Sequence, residues 1–196
     1  MERQKKLIFT SYGLTSSVGR KLIGRELAKD GDLSEKRIFL FHEPHYSIEP
    51  ILINACLQMG FQRKNIILSG QQKTNAELLE MDYIYVTEGN TFEVLSLLRE
   101  RGLTDVFREA FSNGATYIGA SAGAMIAGTD VEEALSFDRN FMRMDDFTGL
   151  GLFDGIIIPH YTKAELKRYI KNSPGIKDRY GNILSVANSR MVVIEI

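Results

Sequence analysis

No tryptophan occurs among the 196 residues, and there are only one cysteine, four prolines and three histidines. A single thiol, Cys56, excludes an intramolecular disulfide and points to a reducing compartment. In the stretch Pro50 to Gly60 it reads as a small buried hydrophobe. Two of the histidines, His42 and His45, flank a proline and with Glu43 are the one conceivable metal cluster. The proline disfavours a regular helix presenting both, and no further ligands stand nearby, so no metal is expected. The apolar run after Met1 to Lys6 is only a few residues long, too short for a signal-peptide core or a membrane span. A cytoplasmic protein without membrane contact is therefore expected. An excess of charge is also missing: 24 basic residues face 25 acidic ones, for a net charge of -1. Without a basic field, nucleic acid is not an expected partner, and the substrate should be small.

What the chain does have is regular alternation. Short apolar runs ending in turn residues recur at Leu7 to Thr10, Arg37 to Phe41, Asn65 to Leu68, Tyr83 to Val86, Thr116 to Gly119, Gly155 to Ile158, Ile183 to Val186 and Met191 to Ile194. Helical spacing fills the gaps at Ser17 to Ala28, Ile48 to Met59, Thr91 to Arg101, Asp105 to Phe111 and Ala164 to Lys171. Strands alternating with helices imply an α/β fold, a mostly parallel sheet between two helix layers. Residues 1–196 fit one such domain. The last two runs, joined by Ala187 to Arg190, read as a hairpin.

Ligands of such sheets bind at the carboxyl ends of the strands. The residues there are Ser11-Tyr12-Gly13, His42 to His45, Thr87-Glu88-Gly89-Asn90, Ala120-Ser121 and Pro159-His160. Ser121 lies in Gly119-Ala120-Ser121-Ala122-Gly123, a Gly-x-Ser-x-Gly pattern at a predicted strand-to-helix turn. Such a turn lifts the hydroxyl clear of the backbone, and the two glycines remove side chains that would crowd it. A serine hydroxyl needs a base at neutral pH, and His160, at the end of another predicted strand, is placed to supply one. His42 and His45 remain alternatives as bases or pocket residues.

Four ordered blocks between Tyr83 and Tyr161 then resemble the dipeptidase E and cyanophycinase group of serine peptidases, whose fold is related to flavodoxin-like class I glutamine amidotransferases. They are Tyr83 to Phe92, Leu97 to Leu103, Gly114 to Ala124 and Ile158-Pro159-His160-Tyr161. The resemblance implies Ser121 as nucleophile, His160 as general base and then acid, and an acidic partner between them. Asp138 is the first choice for that acid, against Glu132, Glu133, Asp145 and Asp146. The backbone amides of Ala122 and Gly89 are the implied oxyanion donors, with Asn90 beside them as a substrate-binding residue. The resemblance also makes a homodimer plausible. Two features depart from it. Glu88 replaces a glycine, adding bulk and charge at the oxyanion rim or offering a carboxylate to a substrate amino group. The segment after His160 is also short, with Lys163, Lys167, Arg168 and Lys171 at the spacing of a solvated helix face or, for one of them, a site for an acidic side chain.

The expectation from the sequence is a serine peptidase acting on short peptides through an acyl-enzyme, without cofactor. The alternatives are a catalytically silent, amidotransferase-like binding protein and an esterase of α/β-hydrolase type.

Overall fold

The structure, a computed structural model, describes residues 5–44 and 48–196. Six strands form the main sheet in the order β3-β2-β4-β5-β1-β8. They are β1 (Lys6–Thr10), β2 (Ile38–Phe41), β3 (Ile66–Leu68), β4 (Tyr83–Val86), β5 (Thr116–Ala120) and β8 (Met191–Glu195). All neighbours pair parallel except β8, which runs antiparallel to β1 along one edge.

Period-two alternation sends successive side chains to opposite faces of the sheet. Leu7, Phe9, Phe39, Phe41, Ile84, Val86 and Tyr117 enter one core, which is packed by α3 (Thr91–Glu100) and α4 (Thr104–Ser112). Ile8, Ile38, Leu40, Tyr83, Tyr85, Ile118 and Ala120 enter the other, beneath α1 (Ser17–Leu27) and α2 (Glu49–Met59). Apolar faces on both sides explain why these strands read as continuous hydrophobic runs. Cys56 lies in the second core, where burial pushes its thiol up to about 12 and removes it from nucleophilic chemistry.

In two places the sequence pattern misleads. The strands β6 (Ile156–Pro159) and β7 (Ile183–Val186) do not join the main sheet but form a parallel pair of their own. This pair packs with α6 (Lys163–Asn172) and α7 (Ile176–Tyr180) around Ile156, Ile158, Ile176 and Tyr180. Consequently β7 and β8 are not a hairpin. The chain leaves β7 in one sheet, turns at Ala187 to Arg190, and enters β8 in the other. Local alternation marks strands but carries no information about which distant strand completes the ladder.

Helix ends are set by side chains the sequence supplies. Asn90 accepts from the Phe92 and Glu93 amides at the start of α3, and Thr162 forms a reciprocal capping box with Glu165 at α6. The exposed face of α6 carries Lys163, Lys167, Arg168 and Lys171, in keeping with a solvated basic face.

Candidate active site

The chain leaves β5 at Ala120 and enters the short helix α5 (Ala122–Met125) with no loop between them. Ser121 takes the whole change of direction at φ 48° and ψ -107°, a conformation that costs a non-glycine residue of the order of 1–3 kcal/mol. The surroundings hold it there. Its N–H extends the β1–β5 ladder to Thr10 at 2.9 Å, and its carbonyl accepts from Ala124 and Met125 to start the helix. Both flanking glycines are required by close approach. A Cβ on Gly119 would lie 2.4 Å from the Gly123 carbonyl oxygen, and one on Gly123 would lie 2.3 Å from that of Val86. The Tyr117 hydroxyl donates to the Gly123 carbonyl at 2.7 Å and locks the turn from below.

His160 faces this serine from the end of β6, in the second sheet rather than the main one, with Ser121 Oγ and His160 Nε2 3.0 Å apart. Three contacts fix the imidazole. Its backbone N–H donates to Ser11 Oγ at 2.9 Å, and that hydroxyl donates to the Val186 carbonyl at 2.6 Å, joining the ends of β1, β6 and β7. Its own φ of 66° turns the side chain back towards the serine. Tyr12 meets the ring edge-on at 5.6 Å between centroids. The third contact is made by Nδ1, which lies 2.7 Å from the Asn188 side-chain oxygen. With Nδ1–H donating to that amide, Nε2 keeps its lone pair towards Ser121, the tautomer a general base needs.

The expected acid is therefore elsewhere. Asp138 accepts from the Thr91 N–H at 2.9 Å and the Thr91 hydroxyl at 2.6 Å, so it caps α3 and not the imidazole. The competing carboxylates are engaged too: Glu132 with Arg179, Glu133 with Tyr169, and Asp146 with Arg99 and the Thr148 N–H. Among the described residues none of these carboxylates, nor Asp145, bonds to His160. Loop distance from the serine could not separate an α3 cap from an imidazole partner, because both lie at the same edge.

The β4–β5 register pairs Val86 with Gly119, so the turns carrying Gly89 and Ser121 leave the same end of two adjacent strands. Among the described residues the Ala122 and Gly89 backbone N–H groups have no internal acceptor. Asn90 has a second task. Its side chain caps α3 and donates to the Arg139 carbonyl at 2.9 Å, so its amide has structural partners beside any substrate contact. Glu88 does not crowd the oxyanion rim either. Its carboxylate turns inward to the hydroxyls of Thr15, Tyr85 and Thr87, in space that a Cβ on Gly13 would fill.

His42 is buried, with Nδ1 3.0 Å from the Glu43 carbonyl and Nε2 3.5 Å from a Glu49 carboxylate oxygen. His45 lies outside the described residues. Among the described residues no cluster of three metal-ligating side chains occurs, and no helix is long and apolar enough to cross a membrane.

The sequence reading missed Asn188 and Ser11 as partners of His160. Ser11 was visible among the strand-end residues, but nothing local tied it to a histidine 149 residues away. Asn188 sits in what looked like an ordinary hairpin turn.

A mostly parallel α/β sheet carrying a strained serine at a strand-to-helix turn, with an imidazole on its hydroxyl, defines an α/β protein of the nucleophile-elbow type. More narrowly, the chain belongs to peptidase family S51, whose model matches residues 52–195. It is 30% identical over 135 residues to an uncharacterized peptidase of Pasteurella multocida, covering 67% of this chain and 64% of that protein. It is also 30% identical over 145 residues to peptidase E of Haemophilus influenzae, covering 74% and 63%. The matched stretches thus span less than two thirds of these relatives. In fold it is similar to a candidate peptidase E protein from Listeria monocytogenes, with a TM-score of 0.72 at 22% identity over 98% of this chain and 95% of that one. A peptidase from an acI-B1 Actinobacterium gives a TM-score of 0.64 at 18% identity, covering 98% and 84%.

Proposed function

We propose that this chain is a serine peptidase that cleaves short peptides through an acyl-enzyme, with Ser121 as nucleophile, His160 as general base and acid, and Asn188 as the third member. The observation that carries the reading is the 3.0 Å approach of Ser121 Oγ to His160 Nε2 at a strained turn. Nε2 takes the hydroxyl proton as Oγ bonds to the scissile carbonyl carbon. The resulting oxyanion faces the Ala122 and Gly89 N–H groups, each such donor being worth about a hundredfold or more in turnover. The imidazolium then protonates the leaving amine as the C–N bond breaks, and water repeats the sequence to release the acyl group.

An amide in the third position stabilises the imidazolium less than a carboxylate would, but it holds the same tautomer. Cys-His-Asn sites run on this arrangement. Labelling with a fluorophosphonate tests the reading together with hydrolysis of a dipeptide and tripeptide panel. Labelling at Ser121 that requires His160, and peptide hydrolysis lost in Ser121→Ala, are the expected results. Absence of labelling favours the catalytically silent binding protein, and aryl-ester hydrolysis without peptide hydrolysis favours the esterase.

A further inference from the structure

The carboxylate of Glu43, just past the end of β2, plays no part in the chemistry above. The residue is 2% exposed, and neither carboxylate oxygen makes a hydrogen bond of good geometry among the described residues, the Asn90 backbone N–H acting on it without forming one. It presses on the oxyanion glycine, since a Cβ on Gly89 would lie 2.8 Å from its Oε1. Burial, followed by the Glu93 carboxylate, raises its pKa to about 7, while the Asn90 backbone amide acts the other way and Asp138 adds a smaller push upward. Leaving a carboxylate buried and unpaired is costly, so the group calls for a partner that the fold itself does not supply.

Glu43 forms the buried end of a cleft of about 160 Å³ lined also by Pro44, Glu93, Leu97, Glu100 and Met142. This volume is below the roughly 300–1,000 Å³ that encloses a whole small ligand, and suits one side chain. Its lining is of two kinds. Pro44, Leu97 and Met142 are apolar, while Glu43, Glu93 and Glu100 are acidic, and among the described residues no lysine or arginine lines it. Apolar walls with carboxylates among them match a side chain that has an aliphatic stem and a cationic head.

We propose that this cleft is a specificity subsite that receives a lysine or arginine side chain of the peptide substrate, with Glu43, Glu93 and Glu100 meeting its cation. The inference rests on the reading of the chain as a peptidase. Contact between Glu43 and Gly89 places the basic residue on the oxyanion side of Ser121. A bound cation would supply the missing partner of Glu43 and draw its carboxyl into the charged form.

The test uses pairs of fluorescent short peptides differing only by lysine against norleucine, or arginine against citrulline, at each position in turn. Binding is read by anisotropy on Ser121→Ala protein, so turnover is not required. At one position the basic member should bind about tenfold tighter or better, the discrimination a charge-assisted hydrogen bond supports. Adding Glu93→Gln or Glu100→Gln should bring the pair within about threefold, and Glu35→Gln, an exposed acid outside the cleft, should leave the ratio intact. Each ratio is measured within one variant, so a general loss of folded protein does not mimic the result. Equal or undetectable binding of both members at every position overturns the subsite, as does a preference that survives both glutamate substitutions. Fluorophosphonate labelling of the wild type reads the nucleophile separately. Labelling without basic preference overturns the subsite and leaves the peptidase reading standing; preference without labelling keeps the subsite and removes the peptidase.

Discussion

The two flanks of Ser121 differ in charge. On the histidine flank Nδ1 of His160 meets a neutral amide, Asn188, and the ring is otherwise held by Ser11 and Tyr12. The proposed oxyanion flank is acidic: Glu43 lies against Gly89, Glu93 lines the same cleft, Asp138 caps α3, and Glu88 turns inward away from the rim. Nearby carboxylates alone therefore do not identify a triad acid. What decides is which one a backbone turn carries to Nδ1, and here the turn carries an asparagine.

The largest effect that separates the flanks is loss of the proposed base or nucleophile. Ser121→Ala and His160→Gln should each lower kcat/KM for a cleaved peptide by at least ~10⁴-fold, read by steady-state hydrolysis. Asp138→Asn should retain activity well above either. If Asp138→Asn were equally dead while still folded, the assignment of the histidine flank would be wrong.

Next in size is the proposed third member, Asn188. Asn188→Ala should cost about 10–100-fold by freeing the imidazole tautomer and orientation. Asn188→Asp should keep activity and move the acidic limb of the kcat/KM profile to higher pH, because an opposite charge on Nδ1–H favours the imidazolium. An unmoved limb would place Asn188 outside the relay.

The floor beneath both flanks is tested by Gly123→Ala. Its Cβ would meet the Val86 backbone at 2.3 Å, so unfolding should come about 1–3 kcal/mol more easily in denaturant titrations. A variant as stable as the wild type would show the turn to be looser than described.

The smallest effect belongs to the acidic flank. Glu43 has a folded pKa of about 7 against 4.5 unfolded, so between those values the native state binds more protons than the unfolded one. Stability should then fall as pH rises from about 4.5 through 7, with the full penalty present above 7. Glu93 on α3 and Asp138 reinforce the shift, the Asn90 amide opposes it, and the neighbouring His42 turns Nδ1 to the Glu43 backbone carbonyl and Nε2 towards Glu49. Glu43→Gln should raise Tm at pH 8 by roughly 2–4 °C, as expected for ~1 kcal/mol after solvent screening, and much less at pH 5. Equal shifts at both pH values would point to packing instead of charge.

Much of this was legible in the sequence because it is local. Buried strands announce themselves as apolar runs, the Gly119 to Gly123 pattern marks a turn only small residues can make, and Ile158 to Tyr161 puts a histidine at a strand end. Glu88 and Asn90 were harder to read. Their positions beside Gly89 were right, yet the directions of their side chains depend on Gly13, Thr15, Tyr85 and Arg139, which come from other segments.

By itself the sequence determined the α/β class, the serine at its strained turn and a histidine at a neighbouring strand end, because hydrophobic period and glycine placement act within a few residues. Only the tertiary structure decided that β6 and β7 leave the main sheet, that Asp138 caps a helix, that Asn188 reaches the imidazole and that Glu43 lies unpaired against Gly89. Each of these joins segments far apart in the chain, and such contacts are fixed by how the layers pack.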